Sequence, residues 1–406
     1  MAAQGASNNA IRRLHVGVMT SAHPRDDVRV REKFVGSLLE GGSRVSWVGP
    51  DYSYFNAPDR RRGEVEWHLF PRRPGRLGRL LANWDLQQAA ARLAGVDVLY
   101  VPDPDALIPA FATARKTRAK VVFDVHESYD LRTMEHWGPK GLRTMAAPFL
   151  DWAMEALARR ADLVLGVNAE VLKFLRGRTP NTLVVRSCAP AWFAGEPAAE
   201  VMGPTKRVFR VMHGKADFSR GTRMVLEAAA RLRKEMPELR VVLVDFFQSH
   251  PNQELVSLIA RLGLSETVEV VSKVPMREMP KLLSACDCGI IAYGRSLGLA
   301  SLPNRIFEFM AAGLPVIVPE YARQMVAIVE QEKCGITADF ENPESIAKAV
   351  RRMADDAEMA RQFGRNAREA FLLRHNWDVE FQPFLKQLHL WNARDPNRVS
   401  SQCAPS

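Results

Sequence analysis

The stretch Leu297-Gly-Leu-Ala-Ser-Leu-Pro-Asn-Arg-Ile-Phe-Glu-Phe-Met-Ala-Ala-Gly-Leu-Pro-Val-Ile317 decides how the second half of the chain is read. Pro303 and Asn304 begin a helix, Gly313 ends it, and residues 315–318 form a short apolar strand. This helix-then-strand unit recurs outward in both directions. Strands are expected at 14–19, 44–48, 97–101, 120–125, 163–167 and 182–185, and again at 207–212, 239–244, 268–271 and 288–292. Helices are expected at 30–39, 221–235, 252–262, 277–285 and 304–312. Such alternation predicts parallel βαβ units, and 406 residues exceed the roughly 100–200 typical of one domain. The fold class is therefore α/β, with two doubly wound Rossmann-like domains facing an interdomain cleft and ligands at the carboxyl ends of strands.

Residues 187–205, rich in Pro, Ala and Gly, read as the linker. The expected plan is a flexible N-terminus at 1–13, a first domain at 14–200 and a second at 201–378. A helix at 379–392 returns to the first domain, its apolar stripe being Trp377, Phe381, Phe384 and Leu388. A disordered tail at 393–406 completes the plan.

Fifty-six Lys and Arg against 46 Asp and Glu leave a net charge of +10, which predicts an anionic partner. With 47% hydrophobic residues the chain has material for sizeable cores. Five cysteines (Cys188, Cys286, Cys288, Cys334 and Cys403) argue for reduced thiols rather than a disulfide framework. No apolar stretch long enough for a signal peptide or a membrane span is seen, so a cytoplasmic location is expected.

The turn after the first strand, Thr20-Ser-Ala-His-Pro-Arg-Asp-Asp-Val-Arg29, contains no glycine, which disfavours a dinucleotide-binding dehydrogenase. No P-loop motif appears either. The turn instead offers His23, Arg25, Asp26, Asp27 and Arg29 as a polar rim, and an Asp there can cap the following helix. In the second half, Val211-Met-His-Gly-Lys-Ala-Asp-Phe-Ser-Arg-Gly221 joins a strand to a long helix and brings Lys215 and Arg220 to one loop. Such a pair suits a diphosphate, Lys as a point charge and Arg as a fork. Glu308 stands among Ile306, Phe307, Phe309 and Met310, where a carboxylate has reason to accept two ribose hydroxyls. Asn304 shares its helix face, and backbone N–H groups near residues 302–305 are available to phosphate.

Gly214-Lys215 with Arg220-Gly221, then Asp287-Cys-Gly-Ile-Ile-Ala-Tyr293, then Leu302-Pro-Asn-Arg-Ile-Phe-Glu-Phe-Met-Ala-Ala-Gly-Leu-Pro315 closely resemble the retaining GT-B glycosyltransferases of family 4. Val122-Phe-Asp-Val-His-Glu127 and Ala161-Asp-Leu-Val-Leu-Gly-Val167 extend the likeness to the first half, so that it covers about residues 14–390. The resemblance implies a nucleotide-sugar donor bound mainly by the second domain and a sugar, lipid-linked or small-molecule acceptor bound mainly by the first. It implies catalytic roles for His126, Lys215 and Arg220. It also implies donor contacts from Gly214, Ser301, Leu302, Pro303, Asn304 and Glu308, and acceptor-side roles for His23, Arg25, Asp26 and Arg29. The family often carries Glu-x7-Glu, but the first position here is Ala300. The glutamate that would touch the donor sugar is missing.

The implied reaction is retaining transfer in polysaccharide, glycolipid or glycosylated-metabolite synthesis. No carboxylate pair of the glycosidase kind is evident. The expected route is a same-face reaction in which the leaving diphosphate, held by Lys215 and Arg220, takes the acceptor proton. Asp103-Pro-Asp105 resembles a metal-binding D-x-D but reads better as a strand-end turn capping a helix near Ala106, so neither metal nor cofactor is expected. Residues 60–79 hold seven Arg and two Glu, a net +5 interleaved with Trp67, Leu69 and Phe70. This segment, from Arg60 to Arg79, is either a solvated loop or a surface for anionic lipid at the inner face of the cell membrane, or for a lipid diphosphate. Nucleic acid is not expected. The alternatives are a sugar-nucleotide epimerase of the same fold and a non-catalytic binding protein.

Overall fold

Each β-branched run becomes a strand because its apolar side chains bury on both faces of a parallel sheet. The computed structural model describes residues 13–54, 62–73, 75–126, 140–175, 181–195, 208–245 and 252–393. The chain divides into two units, Met1–Arg186 with Phe381–Ser406, and Ser187–Glu380.

In the first unit the strands are β1 (His15–Met19), β2 (Arg44–Pro50), β3 (Val65–Phe70), β4 (Val98–Val101), β5 (Lys120–Val125), β6 (Leu163–Gly166) and β7 (Thr182–Val184). Their order is β3-β2-β1-β4-β5-β6-β7, parallel throughout. In the second unit β8 (Phe209–Lys215), β9 (Leu239–Asp245), β10 (Val268–Ser272), β11 (Cys288–Ile290), β12 (Val316–Pro319) and β13 (Gly335–Ala338) follow the order β10-β9-β8-β11-β12-β13. This sheet too is parallel. Strand order reverses beside β1 in one sheet and beside β8 in the other. At such points the crossovers leave on opposite faces and open a crevice at the carboxyl ends of the strands.

The proposed linker is half corrected. Cys188, Ala189, Phe193 and Ala194 are buried in the core of the second unit, so 187–195 is packed chain. The division falls after Arg186 rather than near 200. Residues 196–207 lie outside the described residues, as do 1–12 and 394–406 at the ends, where a flexible terminus and a tail were expected. At the other end of the chain, Phe381 and Phe384 set their rings against Phe34 at 5.2 and 5.8 Å, within the first unit.

The segment expected as a helix at 30–39 is a wide-turned helix, Val28–Val35, continued by Gly36–Glu40. Asp27 caps it by accepting from the Val30 amide at 2.8 Å. The described cysteines, Cys188, Cys286, Cys288 and Cys334, are all buried. Burial pushes the Cys286 thiol up to about 12, so this sulfur is chemically quiet.

Candidate functional site

The second unit gathers the expected phosphate ligands at the end of β8. Gly214 sits at φ +92°, just past a register shift in the pairing of β8 with β9. Lys215 ends the strand and pairs with Asp217, Nζ to Oδ2 3.1 Å. Asp217 also accepts from the Ser219 amide at 3.0 Å and its hydroxyl at 2.6 Å. Burial opposes ionisation of this carboxyl, but the Ser219 and Lys215 hydrogen bonds win and hold it below the usual carboxylate range. Arg220 closes the turn and donates to the Tyr293 hydroxyl while lying 5.2 Å over that ring. The next residue must be glycine, since Gly221 has φ +77° and a Cβ there would meet the Ala292 carbonyl oxygen at 1.7 Å. The helix Thr222–Leu232 then begins.

Thr222 locks this loop. Its hydroxyl donates to the Asp217 carbonyl at 2.8 Å and accepts from the Asp217 amide at 2.9 Å. The hydroxyl has one proton, so the buried His213, 3.0 Å away through Nε2, must be the donor in their contact. Burial lowers the His213 pKa to about 4, with Arg305 and Arg220 adding to the fall, and the ring is therefore neutral. Downstream, Ser301, Leu302, Pro303 and Asn304 lead into the helix Arg305–Ala311. Its apolar face, Ile306, Phe307, Phe309 and Met310, is buried in the core, leaving Glu308 on the opposite side. Glu308 faces Arg305 at 3.1 Å.

The first unit brings His23 and His126 together, their rings 5.1 Å apart edge to face. Asp103 is the centre of this corner. Its Oδ2 accepts from Thr20 Oγ1 at 2.5 Å, from the Ser21 amide at 3.0 Å and from His23 Nδ1 at 3.2 Å. Asp105 accepts from Ser21 Oγ at 2.8 Å. The D-x-D segment is thus no side-chain cap: its carboxylates fasten the loop after β1. Among the described residues no group of three or more His, Cys, Asp or Glu side chains is placed to hold a metal ion.

His126 lies just past β5, with Nδ1 3.3 Å from the Asp124 carbonyl. Burial, opposed by Asp124 and reinforced by His23 and Arg29, lowers its pKa. A neutral ring donating through Nδ1 presents Nε2 as an acceptor. Glu127, the next residue, lies outside the described residues.

Of the four acceptor-side residues, Arg29 is corrected outright. Only 8% exposed, it forks onto Asp124 through Nε and Nη2, each at 2.8 Å, and does not join the rim. Its helix turns inward after the Asp27 cap, so the one cation of the motif that follows the cap is carried into the core. Arg25 pairs with Asp51 at 3.2 Å and Asp26 accepts from the Tyr54 amide at 2.8 Å, tying the loop to the segment after β2.

Sequence reasoning missed Thr222, Asp103 and Arg305 as parts of these corners. Tyr293 was visible only inside a longer quoted motif.

The two doubly wound parallel sheets are the GT-B architecture, and the sequence comparisons agree. Residues 28–188 match the family model of the glycosyl transferase 4-like domain, and residues 201–370 that of glycosyl transferases group 1. The chain belongs to the group 1, family 4 type of glycosyltransferases. It is 24% identical to an exopolysaccharide phosphotransferase of Streptomyces coelicolor over 78% of its own length and 31% of that protein's. It is 23% identical to spore coat protein SA of Bacillus subtilis over 40% of its own length and 44% of the relative's. The chain thus spans less than half the length of either relative. Among solved structures, sucrose-phosphate synthase of Thermosynechococcus elongatus superposes with TM-score 0.73 at 16% identity, over 94% of this chain and all of the other. The Anabaena protein HepE, solved with UDP and glucose, gives 0.70 at 17% identity, over 93% and all.

Proposed function

We propose that this glycosyltransferase moves a hexosyl group from a nucleotide-sugar donor to a sugar, lipid-linked or small-molecule acceptor with retention of anomeric configuration. The observation that carries this reading is the cluster of Lys215, Arg220, Tyr293 and Glu308 at the strand-order reversal of the second unit, where cations and a ribose-competent carboxylate share one corner. Lys215 and Arg220 bind the donor diphosphate, Glu308 accepts from the ribose hydroxyls, and the segment 301–304 borders the sugar. HepE was solved with UDP and glucose, which favours a uridine diphosphate donor.

In the reaction, the glycosidic carbon–oxygen bond to the diphosphate breaks as the acceptor oxygen bonds to the same carbon from the same face. The acceptor's proton passes to the departing diphosphate oxygen. Negative charge grows on phosphate, so the preset cations stabilise the transition state more than the ground state. His126, neutral and with Nε2 as acceptor, serves a sugar hydroxyl, and His23 with the loop after β1 borders the acceptor. The name of the Streptomyces coelicolor relative, an exopolysaccharide phosphotransferase, favours a glycan-building role, and the exposed aromatic residues and Arg cluster of the first unit favour peripheral contact with the inner face of the membrane.

The test is turnover with UDP-, GDP-, ADP- and dTDP-sugars, followed as nucleotide release with and without acceptors. Lys215→Ala or Arg220→Ala is expected to lower turnover by on the order of 100-fold, as loss of one oxyanion donor does. Unchanged turnover would sink the assignment, and acceptor-independent formation of an epimer would make the protein an epimerase.

A further inference from the structure

The donor reading of the second unit leaves Arg305 without a task, yet its position is unusual. Arg305 opens the helix Arg305–Ala311, and its side chain runs back across the end of β8. The guanidinium lies so close over Gly214 that a Cβ there would be 2.4 Å from Nη1 and 2.8 Å from Cζ. The glycine at φ +92° thus makes room for this cation. On its other edge Nε faces Glu308 Oε2 at 3.1 Å. Nη1 is buried and makes no hydrogen bond among the described residues.

A buried guanidinium N–H without an acceptor is costly, and proteins rarely keep one that serves nothing. The charges of Arg305 and Arg220 both act on His213 and on the Tyr293 phenol, so the two guanidiniums address the same patch. Lys215 reaches that strand end from the next residue along the chain. Three cations therefore converge where Asp217 and Glu308 supply two negative charges. A group that carries at least two negative charges in adjacent tetrahedra is the natural complement.

We infer that Arg305 is a third phosphate-binding cation of this site, giving Nη1 to a diphosphate oxygen of the donor while Glu308 anchors its Nε edge. The inference rests on the donor reading of Lys215, Arg220 and Glu308. A planar fork serves two partners in two fixed directions, which a lysine point charge cannot do.

The experiment is calorimetric titration of the full chain with UDP, GDP, ADP and dTDP, carrying forward the tightest diphosphate and its parent nucleoside. Arg305→Met is expected to weaken the diphosphate by about 10–100-fold, the worth of a hydrogen bond to a charged group, and to leave the nucleoside within about threefold. Glu308→Gln should weaken both ligands. If Arg305→Met weakens diphosphate and nucleoside equally, or neither, the inference is overturned, since the guanidinium then serves Glu308 alone or nothing. Arg305→Lys, which keeps the stem and the charge, carries the same comparison should the Met variant fail to fold, with an expected loss of about tenfold. Lys215→Met and Arg220→Met separate the two levels. If they weaken the diphosphate while Arg305 variants do not, only the inference falls. If no diphosphate binds the unaltered protein, the donor reading falls with it.

Discussion

Two imidazoles 5.1 Å apart hold different charges because their surroundings differ. Burial works against charge on His23, but Asp103, directly hydrogen-bonded to it, and then Asp27 and Asp124 outweigh burial and raise its pKa to about 9. His126 meets the Asp124 backbone carbonyl instead, and burial with the His23 charge beside it lowers its pKa against the pull of the Asp124 carboxylate. Near neutral pH the pair is one cation and one neutral acceptor. The sign of the linkage follows: a folded pKa of about 9 against an ordinary 6.5 adds stability that is complete below pH 6.5 and is lost as pH rises through 9. The loss should be on the order of 3 kcal/mol for a shift of this size. Asp103→Asn removes the principal attraction, so urea unfolding at pH 6, 7.5 and 9 should show a gap between the two proteins that closes with rising pH. Parallel losses in the two proteins would mean that His23 is not held by Asp103.

At the scale of elements, the helix Val28–Val35 is fastened to β5 by the Arg29–Asp124 fork, and the Tyr100 hydroxyl from β4 donates to the same carboxylate at 2.5 Å. Burial favours the neutral carboxyl, yet the Arg29 charge prevails and holds Asp124 below its usual range. Removing one partner of such a pair strands the other charge. Arg29→Met is therefore expected to cost about 3–5 kcal/mol in denaturant unfolding, and Arg29→Met with Asp124→Leu to recover part of it. A loss below about 1 kcal/mol would show the fork to be dispensable. This pair also marks where sequence reading stops. Val-Phe-Asp-Val at the end of β5 is legible as a strand, and Arg29 as a cation near a cap. That one closes on the other is a tertiary fact, invisible to local periodicity. Lys215, Arg220 and Glu308 were legible because each is anomalous in its own segment, whereas Arg305 looks like any arginine at a helix start. β3 was read as part of a basic loop because its arginine-rich flanks outweighed the Val65-Glu66-Trp67-His68-Leu69 alternation of a half-buried strand, which lies at the sheet edge beside β2. β13, Gly-Ile-Thr-Ala at the other sheet's edge, is too short and too exposed to declare itself.

Over the whole molecule the net +10 is unevenly spread, half of it between residues 60 and 79. Part of that half is already spoken for: Arg73 pairs with Asp85 at 2.5 Å and Arg72 lies 4.2 Å over the Tyr52 ring, while Arg60 and Arg61 lie outside the described residues. The same unit exposes Trp84 at 68%, Leu81 at 55%, Phe149 at 65% and Trp152 at 63%, large apolar side chains that a chain with 47% hydrophobic residues had ample means to bury. No helix among the described residues is long and apolar enough to cross a membrane. Basic charge and exposed indoles in one unit would suit the peripheral membrane contact proposed above, each cation near anionic lipid adding about 1 kcal/mol and each indole settling at the interface. Co-sedimentation with vesicles should therefore require anionic lipid. It should weaken by about tenfold or more when salt is raised from roughly 0.1 to 0.5 M, since the screening length drops from about 10 Å to a few ångströms. Trp84→Ser with Trp152→Ser should weaken it further while leaving nucleoside diphosphate affinity unchanged, because the proposed diphosphate and ribose ligands Lys215, Arg220 and Glu308 belong to the other unit. Equal binding to neutral and anionic vesicles, or indifference to salt, would assign the Arg-rich segment to solvent and leave the acceptor to be sought among soluble sugars.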